Sequence, residues 1–223
     1  HGRTPPCAPR IIEAGIARVV AGMADPDPRT GGGGLAMMRE AGIEVTQGVL
    51  EDRCRQLNRG FLSRVERKRP WVTLKTAATL DGNMAMPSGE SRWITNPFSR
   101  LRAHLLRDAN DAVMVGIGTV SADDPLLTVR DVNGRDPVPV VLDSFLRMSP
   151  AARLAREGTI LFHSREAPVE ALKALQEKGC ILYTVQADTT GRLLLASVLE
   201  KLSHLGVNNL LVEGGPGIIG SFL

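Results

Sequence analysis

Ala112-Val113-Met114-Val115-Gly116-Ile117-Gly118-Thr119-Val120 is an apolar run that breaks into a turn of two glycines and a threonine. The run has the length and β-branched content of a buried strand, and the turn offers backbone N–H groups near a helix start, a geometry that suits a phosphate. A second stretch, Asn209-Leu210-Leu211-Val212-Glu213-Gly214-Gly215-Pro216-Gly217, repeats the grammar with an acid at the strand end. The first turn alone reads equally well as a plain tight turn and lacks the third glycine of the dinucleotide fingerprint; the second is the stronger signal, its alternative a strand-to-helix turn with Glu213 as a surface acid. Two of them in one sheet favour a dinucleotide.

Working outward, further strand-like runs occupy residues 72–76, 138–142, 159–162 and 181–185, with helical patterns at 96–107, 169–178 and 194–205. Strands alternating with helices predict a largely parallel sheet in an α/β layer structure. Ligands of such sheets sit outside the carboxyl ends of the strands. The polar clusters fall there: Lys75-Thr76-Ala77-Ala78-Thr79-Leu80-Asp81-Gly82, Gly89-Glu90-Ser91-Arg92-Trp93-Ile94-Thr95, and Asp123-Asp124-Pro125-Leu126-Leu127-Thr128-Val129-Arg130.

Before this region lies a shorter alternation: a helix end at 11–15, a strand at 17–23 closed by Asp25-Pro26-Asp27-Pro28, a helix at 35–41, a strand at 43–46 and a helix at 50–62. The glycines at 31–34 read as a loop or a phosphate cradle. Arg64-Val65-Glu66-Arg67-Lys68-Arg69-Pro70 has little apolar content and reads as a solvated linker, which sets the domain boundary. The expected domains are residues 1–68 and 69–223. The missing initiator Met, and an end at Ser221-Phe222-Leu223 within an amphipathic pattern, predict a piece cut at both ends.

With 27 basic against 24 acidic residues, the net charge of +3 gives no reason to expect nucleic acid or an anionic membrane. Three scattered cysteines fit a reducing cytoplasm, and no apolar run reaches membrane-spanning length. Cys54 and Cys180 read as buried small residues, and His163 and His204 as structural.

Arg107 and Arg130 are candidate phosphate ligands through charge-assisted bonds. Lys75, inside an apolar run, needs an acid or a ligand. Asp143 and Ser144 end a strand where an acid commonly takes the ribose 2′-hydroxyl of NAD, while Ser144 and Arg147 could instead receive the 2′-phosphate of NADP. Trp93 reads as core or as a wall against a flat ring. Cys7 follows two prolines, as in the Pro-Cys element of zinc deaminases, but one thiolate does not complete a tetrahedral site.

Together these motifs resemble the bifunctional riboflavin-biosynthesis deaminase-reductase over essentially the whole chain. His1-Gly2-Arg3-Thr4-Pro5-Pro6-Cys7 and Gln56-Leu57-Asn58-Arg59-Gly60-Phe61 look like the end of its deaminase. The segments 75–82, 89–95, 118–130 and 213–217 look like its reductase. The resemblance implies a cytidine-deaminase-like fold followed by a dihydrofolate-reductase-like fold. It also implies NADPH at positions matching Ala77, Trp93, Thr119, Asp123, Ser144 and the turn Gly215, Pro216, Gly217, Ile218, Ile219, Gly220, Ser221. The phosphoribosylaminopyrimidine would meet Ser91, Arg107, Leu127, Arg130 and Glu213. Cys7 matches one zinc ligand, whose partners would precede His1, so this chain is not expected to deaminate. The family's last sheet strands would follow Leu223. We expect a homo-oligomeric, cytoplasmic enzyme. NADPH would reduce C1′ of the ring-opened ribose, with Lys75 the candidate proton donor. The rivals are a pterin or folate reductase, a non-catalytic nucleotide-binding module, and a zinc deaminase alone.

Overall fold

The computed structural model describes residues 6–86, 88 and 93–223. The chain divides into two compact units, His1–Arg69 and Pro70–Leu223.

The first unit comprises α1 (Cys7–Glu13), β1 (Arg18–Ala21), α2 (Gly33–Glu40), β2 (Glu44–Gln47), α3 (Glu51–Leu57) and α4 (Arg59–Arg67). Strands β1 and β2 pair in parallel, with Arg18 opposite Glu44. Ala8, Met38 and Ile43 are buried against Ile11, Val19 and Val45, the apolar positions that the 3.6 and 2.0 periods select. The helix expected over 50–62 is two helices. At Asn58 the chain leaves helical geometry, and its side-chain Nδ2 donates to the Cys54 carbonyl, a local bond that competes with the helical ladder. The stretch read as linker is ordered further than its charge suggests. Arg64 to Arg67 complete α4, left-handed Lys68 ends it, and Ser63 Oγ donates to the Arg69 carbonyl. Within the glycine run, left-handed Gly32 precedes Gly33, the first residue of α2.

The second unit comprises β3 (Trp71–Lys75), α5 (Pro97–Asp108), β4 (Ala112–Gly116), α6 (Ile117–Asp123), β5 (Val138–Leu142), β6 (Ile160–His163), α7 (Val169–Glu177), β7 (Ile181–Thr184), α8 (Leu195–His204), β8 (Asn209–Glu213) and α9 (Pro216–Gly220). Its six strands form one parallel sheet in the order β3-β8-β4-β5-β6-β7, the mostly parallel α/β architecture that the sequence predicts. The central strands are apolar throughout because both faces are covered. Val113, Val115, Val141, Leu161 and Leu211 face Leu106 of α5 and Leu172 and Leu175 of α7. Met114, Val140, Phe162, Leu210 and Val212 face Val198, Leu199 and Leu202 of α8 and Ile219 of α9.

The decisive topological feature is β8. The last strand in sequence lies between β3 and β4, so the carboxyl ends of all three strands are neighbours. The residues that end β3 and the glycine turns after β4 and β8 are thereby delivered to one rim.

Candidate active site

Lys75 and Glu213 end β3 and β8 as partners in the parallel ladder, so their side chains lie on one face of the sheet. It is the face of Leu211, against which α5 packs. From α5, Arg107 reaches this face. Its Nε lies 2.8 Å from Glu213 Oε1 and its Nη2 2.9 Å from Oε2, a bidentate pair with side chains only 13% and 9% exposed. The Arg107 Nη1 also donates to the Thr128 carbonyl at 3.0 Å. Three of five guanidinium donors are engaged internally, a role the sequence reading of Arg107 as a phosphate ligand did not anticipate. Among the described residues nothing pairs with the Lys75 ammonium, although it is only partly exposed.

The 124–130 segment follows α6. Asp124 is left-handed, ends α6, and accepts the Arg153 N–H at 2.8 Å. Leu127 is also left-handed and is buried in the core, 3% exposed, so its side chain serves packing. Arg130 is exposed, and its Nη1 donates to Thr128 Oγ1 at 3.0 Å. Further N–H groups of that guanidinium are available to an anion.

His104, one helical turn before Arg107, escaped the sequence reading. It is 7% exposed, its Nδ1 accepts the Arg130 backbone N–H at 3.3 Å, and its Nε2 lies 3.3 Å from Asp131 Oδ2. Burial, reinforced by the Arg107 charge, pushes its pKa below the ordinary imidazole value. Its spacing from Arg107 on a helix was the available signal, since positions three apart share a face.

The two glycine turns abut. A Cβ on Gly116 would lie 3.7 Å from Ile218 Cβ. Gly214 has φ +138°, and a Cβ there would lie 2.8 Å from Thr119 Oγ1, so the backbone path of this turn and its contact with Thr119 both call for glycine. At Gly118, Gly215 and Gly217 an added Cβ would meet nothing within 4 Å. These positions, at the starts of α6 and α9, leave the backbone open to an anionic group such as the phosphate of a dinucleotide coenzyme. Within α9, Ile218 and Ile219 pack into the core, and Ser221 Oγ donates to the Gly217 carbonyl.

The remaining positions divide. Trp93 is not core: it is 72% exposed, with the Arg100 guanidinium carbon 4.3 Å from its ring centre. Ala77 and Ser144 are partly exposed, and Asp123 is exposed. Asp143 does not face a ribose. It is fully buried, and its Oδ2 accepts the Met148 N–H at 2.8 Å, closing the loop after β5. Arg147 remains exposed, with its Nε 3.8 Å from Asp143 Oδ1. Ser91 lies outside the described residues.

Cys7 is exposed at the start of α1, and no three His, Cys, Asp or Glu side chains among the described residues come together as metal ligands. Zinc does not fit this donor set. Cys54 is only partly buried, lying beside Gly22, where an added Cβ would fall 2.1 Å from its Sγ. Cys180 is buried, which pushes its thiol pKa up. His163 is structural, its Nδ1 2.8 Å from the Ser164 carbonyl oxygen.

A parallel sheet with helices on both faces, whose glycine turns and polar clusters gather at the carboxyl ends of β3, β8 and β4, defines a mostly parallel α/β domain of the kind that binds ligands at that rim. The chain belongs to the RibD family: residues 70–223 match the RibD C-terminal domain. It is 43% identical to the riboflavin biosynthesis protein RibD of Aquifex aeolicus, over 100% of this chain and 62% of that protein. Among solved structures, RibD of Acinetobacter baumannii superposes with a TM-score of 0.86 at 35% identity, covering 100% of this chain and 61% of that one. The diaminohydroxyphosphoribosylaminopyrimidine deaminase/5-amino-6-(5-phosphoribosylamino)uracil reductase of Thermotoga maritima superposes at 0.78 with 37% identity, covering 96% and 58%. The chain therefore spans about three fifths of the length of these relatives. Among the described residues no helix is long and apolar enough to cross a membrane.

Proposed function

We propose that the second unit, residues 69–223 in the sequence reading, is a reductase in riboflavin biosynthesis that uses NADPH to convert 5-amino-6-(5-phosphoribosylamino)uracil to its ribitylamino product. The observation that carries this reading is the meeting of the Gly116 and Gly214 turns beside the Arg107–Glu213 pair on one rim. When bound, the reduced nicotinamide supplies hydride to C1′ of the ring-opened ribose. Arg130 binds the 5-phosphate. Arg107 fixes the Glu213 carboxylate, whose remaining lone pairs accept from the base or the sugar hydroxyls. Lys75 supplies the proton to the nitrogen attached to C1′. The Gly116–Thr119 and Gly214–Gly217 turns hold the coenzyme with Ala77, Asp123 and Ser144, Trp93 walls its ring, and Arg147 beside Ser144 receives the 2′-phosphate. Ser91 completes the substrate side.

The test is steady-state NADPH oxidation by the intact protein. Arg130→Ala should raise KM for the aminouracil phosphate about 100-fold or less, the loss of a charge-assisted anchor, with little change in NADPH affinity. Unchanged substrate affinity would remove the anchor. A pterin or folate reductase has no need of a sugar-phosphate anchor, and turnover of dihydrofolate in place of the aminouracil would select it. Tight NADPH binding without turnover would select a binding module.

The first unit, residues 1–68 in the same reading, corresponds to the end of a deaminase. We also place the enzyme in the cytoplasm as a homo-oligomer. Phe98, Leu101 and Leu105, exposed on one side of α5, support self-association. Sedimentation of the intact protein as a monomer would remove that element.

A further inference from the structure

Three polar atoms of α5 hold the 128–131 stretch, two of them on His104, while Asp108 Oδ1 holds Arg135 further along the same connection. The His104 Nδ1 accepts the Arg130 backbone N–H, and its Nε2 faces Asp131, while Arg107 holds the Thr128 carbonyl one helical turn away. A ring that accepts at Nδ1 carries its hydrogen on Nε2, where it can donate to Asp131. Protonation would place an N–H at Nδ1 directly against the Arg130 N–H, turning an attraction into two opposed donors.

We propose that neutral His104 is the positioning residue for Arg130, and that its protonation undocks the loop and weakens binding of the phosphorylated substrate. The inference rests on the reading of Arg130 as the phosphate anchor. The charged groups facing the ring are Arg107 on its own helix and Arg130 and Asp131 on the loop. Burial and the two arginines disfavour the imidazolium, while the Asp131 carboxylate and the Thr128 carbonyl favour it. The net shift is downward. The contact is therefore complete above the ordinary imidazole pKa of 6.5 and is lost as pH falls through the lowered value.

The experiment uses the intact protein and three forms: wild type, His104→Asn and His104→Leu. Asparagine places a carboxamide oxygen near the Nδ1 position and does not titrate. Heteronuclear NMR reads the His104 tautomer, and hydrogen exchange reads the Arg130 amide, both without substrate. The Nε2–H tautomer is expected at pH 7.5. Arg130 exchange should accelerate about tenfold in His104→Leu, the scale of one backbone hydrogen bond. It should accelerate beyond the intrinsic chemistry in acidified wild type, but not in His104→Asn. In turnover, His104→Leu should raise KM for the aminouracil phosphate about tenfold and leave kcat and NADPH affinity unchanged. The substrate phosphate titrates in the same range, so the ratio of wild-type to His104→Asn KM across pH isolates the ring. An Nδ1–H tautomer, or equal Arg130 protection in wild type and His104→Leu, would overturn the proposal. Should His104→Leu fail to fold, the tautomer and the wild-type comparison with His104→Asn still decide it. If Arg130→Ala binds substrate like wild type, the anchor reading fails while the exchange data stand apart.

Discussion

At Gly214 and at Arg107 a single residue governs the local geometry of the rim. Gly214→Ala would strain a backbone at φ +138° and press a methyl against Thr119 Oγ1 at 2.8 Å. The expected cost is about 1–3 kcal/mol of stability with a larger proportional loss of NADPH affinity, read by thermal unfolding and by coenzyme titration. Arg107→Ala would leave the Glu213 carboxylate buried without its partner, a loss of about 3–5 kcal/mol. Arg107→Lys should recover little, because an ammonium cannot make the bidentate contact. Chemical denaturation of the three proteins checks this. The residue types at the rim were legible from their places after apolar runs, but their pairing was not. Arg107 and Glu213 are 106 positions apart, and no local period records that a carboxylate on β8 will meet a helix after β3. Asp143 misled for the complementary reason. An acid after a strand can serve a ligand or its own loop, and only the fold reveals that Met148 takes it.

Among elements, α5 is the one on which the site depends, since it carries both His104 and Arg107. It starts with Asn96, whose Oδ1 accepts the Ser99 N–H at 2.9 Å, followed by Pro97 at the first helical position. Asn96→Ala should cost about 1 kcal/mol and fray the first turn. Because the site residues lie in the last two turns, kcat should change little while the melting temperature falls; a collapse of activity at full stability would contradict this division. The strands and helices of the second unit were readable because β-branched runs and 3.6-period stretches alternate there without conflict. The break at Asn58 and the helical course of Arg64 to Arg67 were not. In both, the deciding factor was a local polar or tertiary contact rather than the apolar period.

For the molecule as a whole, placing β8 between β3 and β4 is what turns separate motifs into a site. A parallel sheet with its turns at the carboxyl rim follows from the strand and helix alternation, whereas the strand order does not, because alternation leaves the insertion point of the last strand open. With β8 between them, the turns after β4 and β8 touch, and Lys75, Glu213, Arg107 and the Arg130 loop gather beside them. A crystal structure of the intact protein with NADPH and the aminouracil phosphate tests this arrangement most directly. The coenzyme is expected on the Gly116 and Gly214 turns and the sugar phosphate within hydrogen-bonding distance of Arg130, on the same rim. Either ligand seated at the amino ends of the strands, where Asp111 immediately before β4 pairs with Arg135, would contradict it.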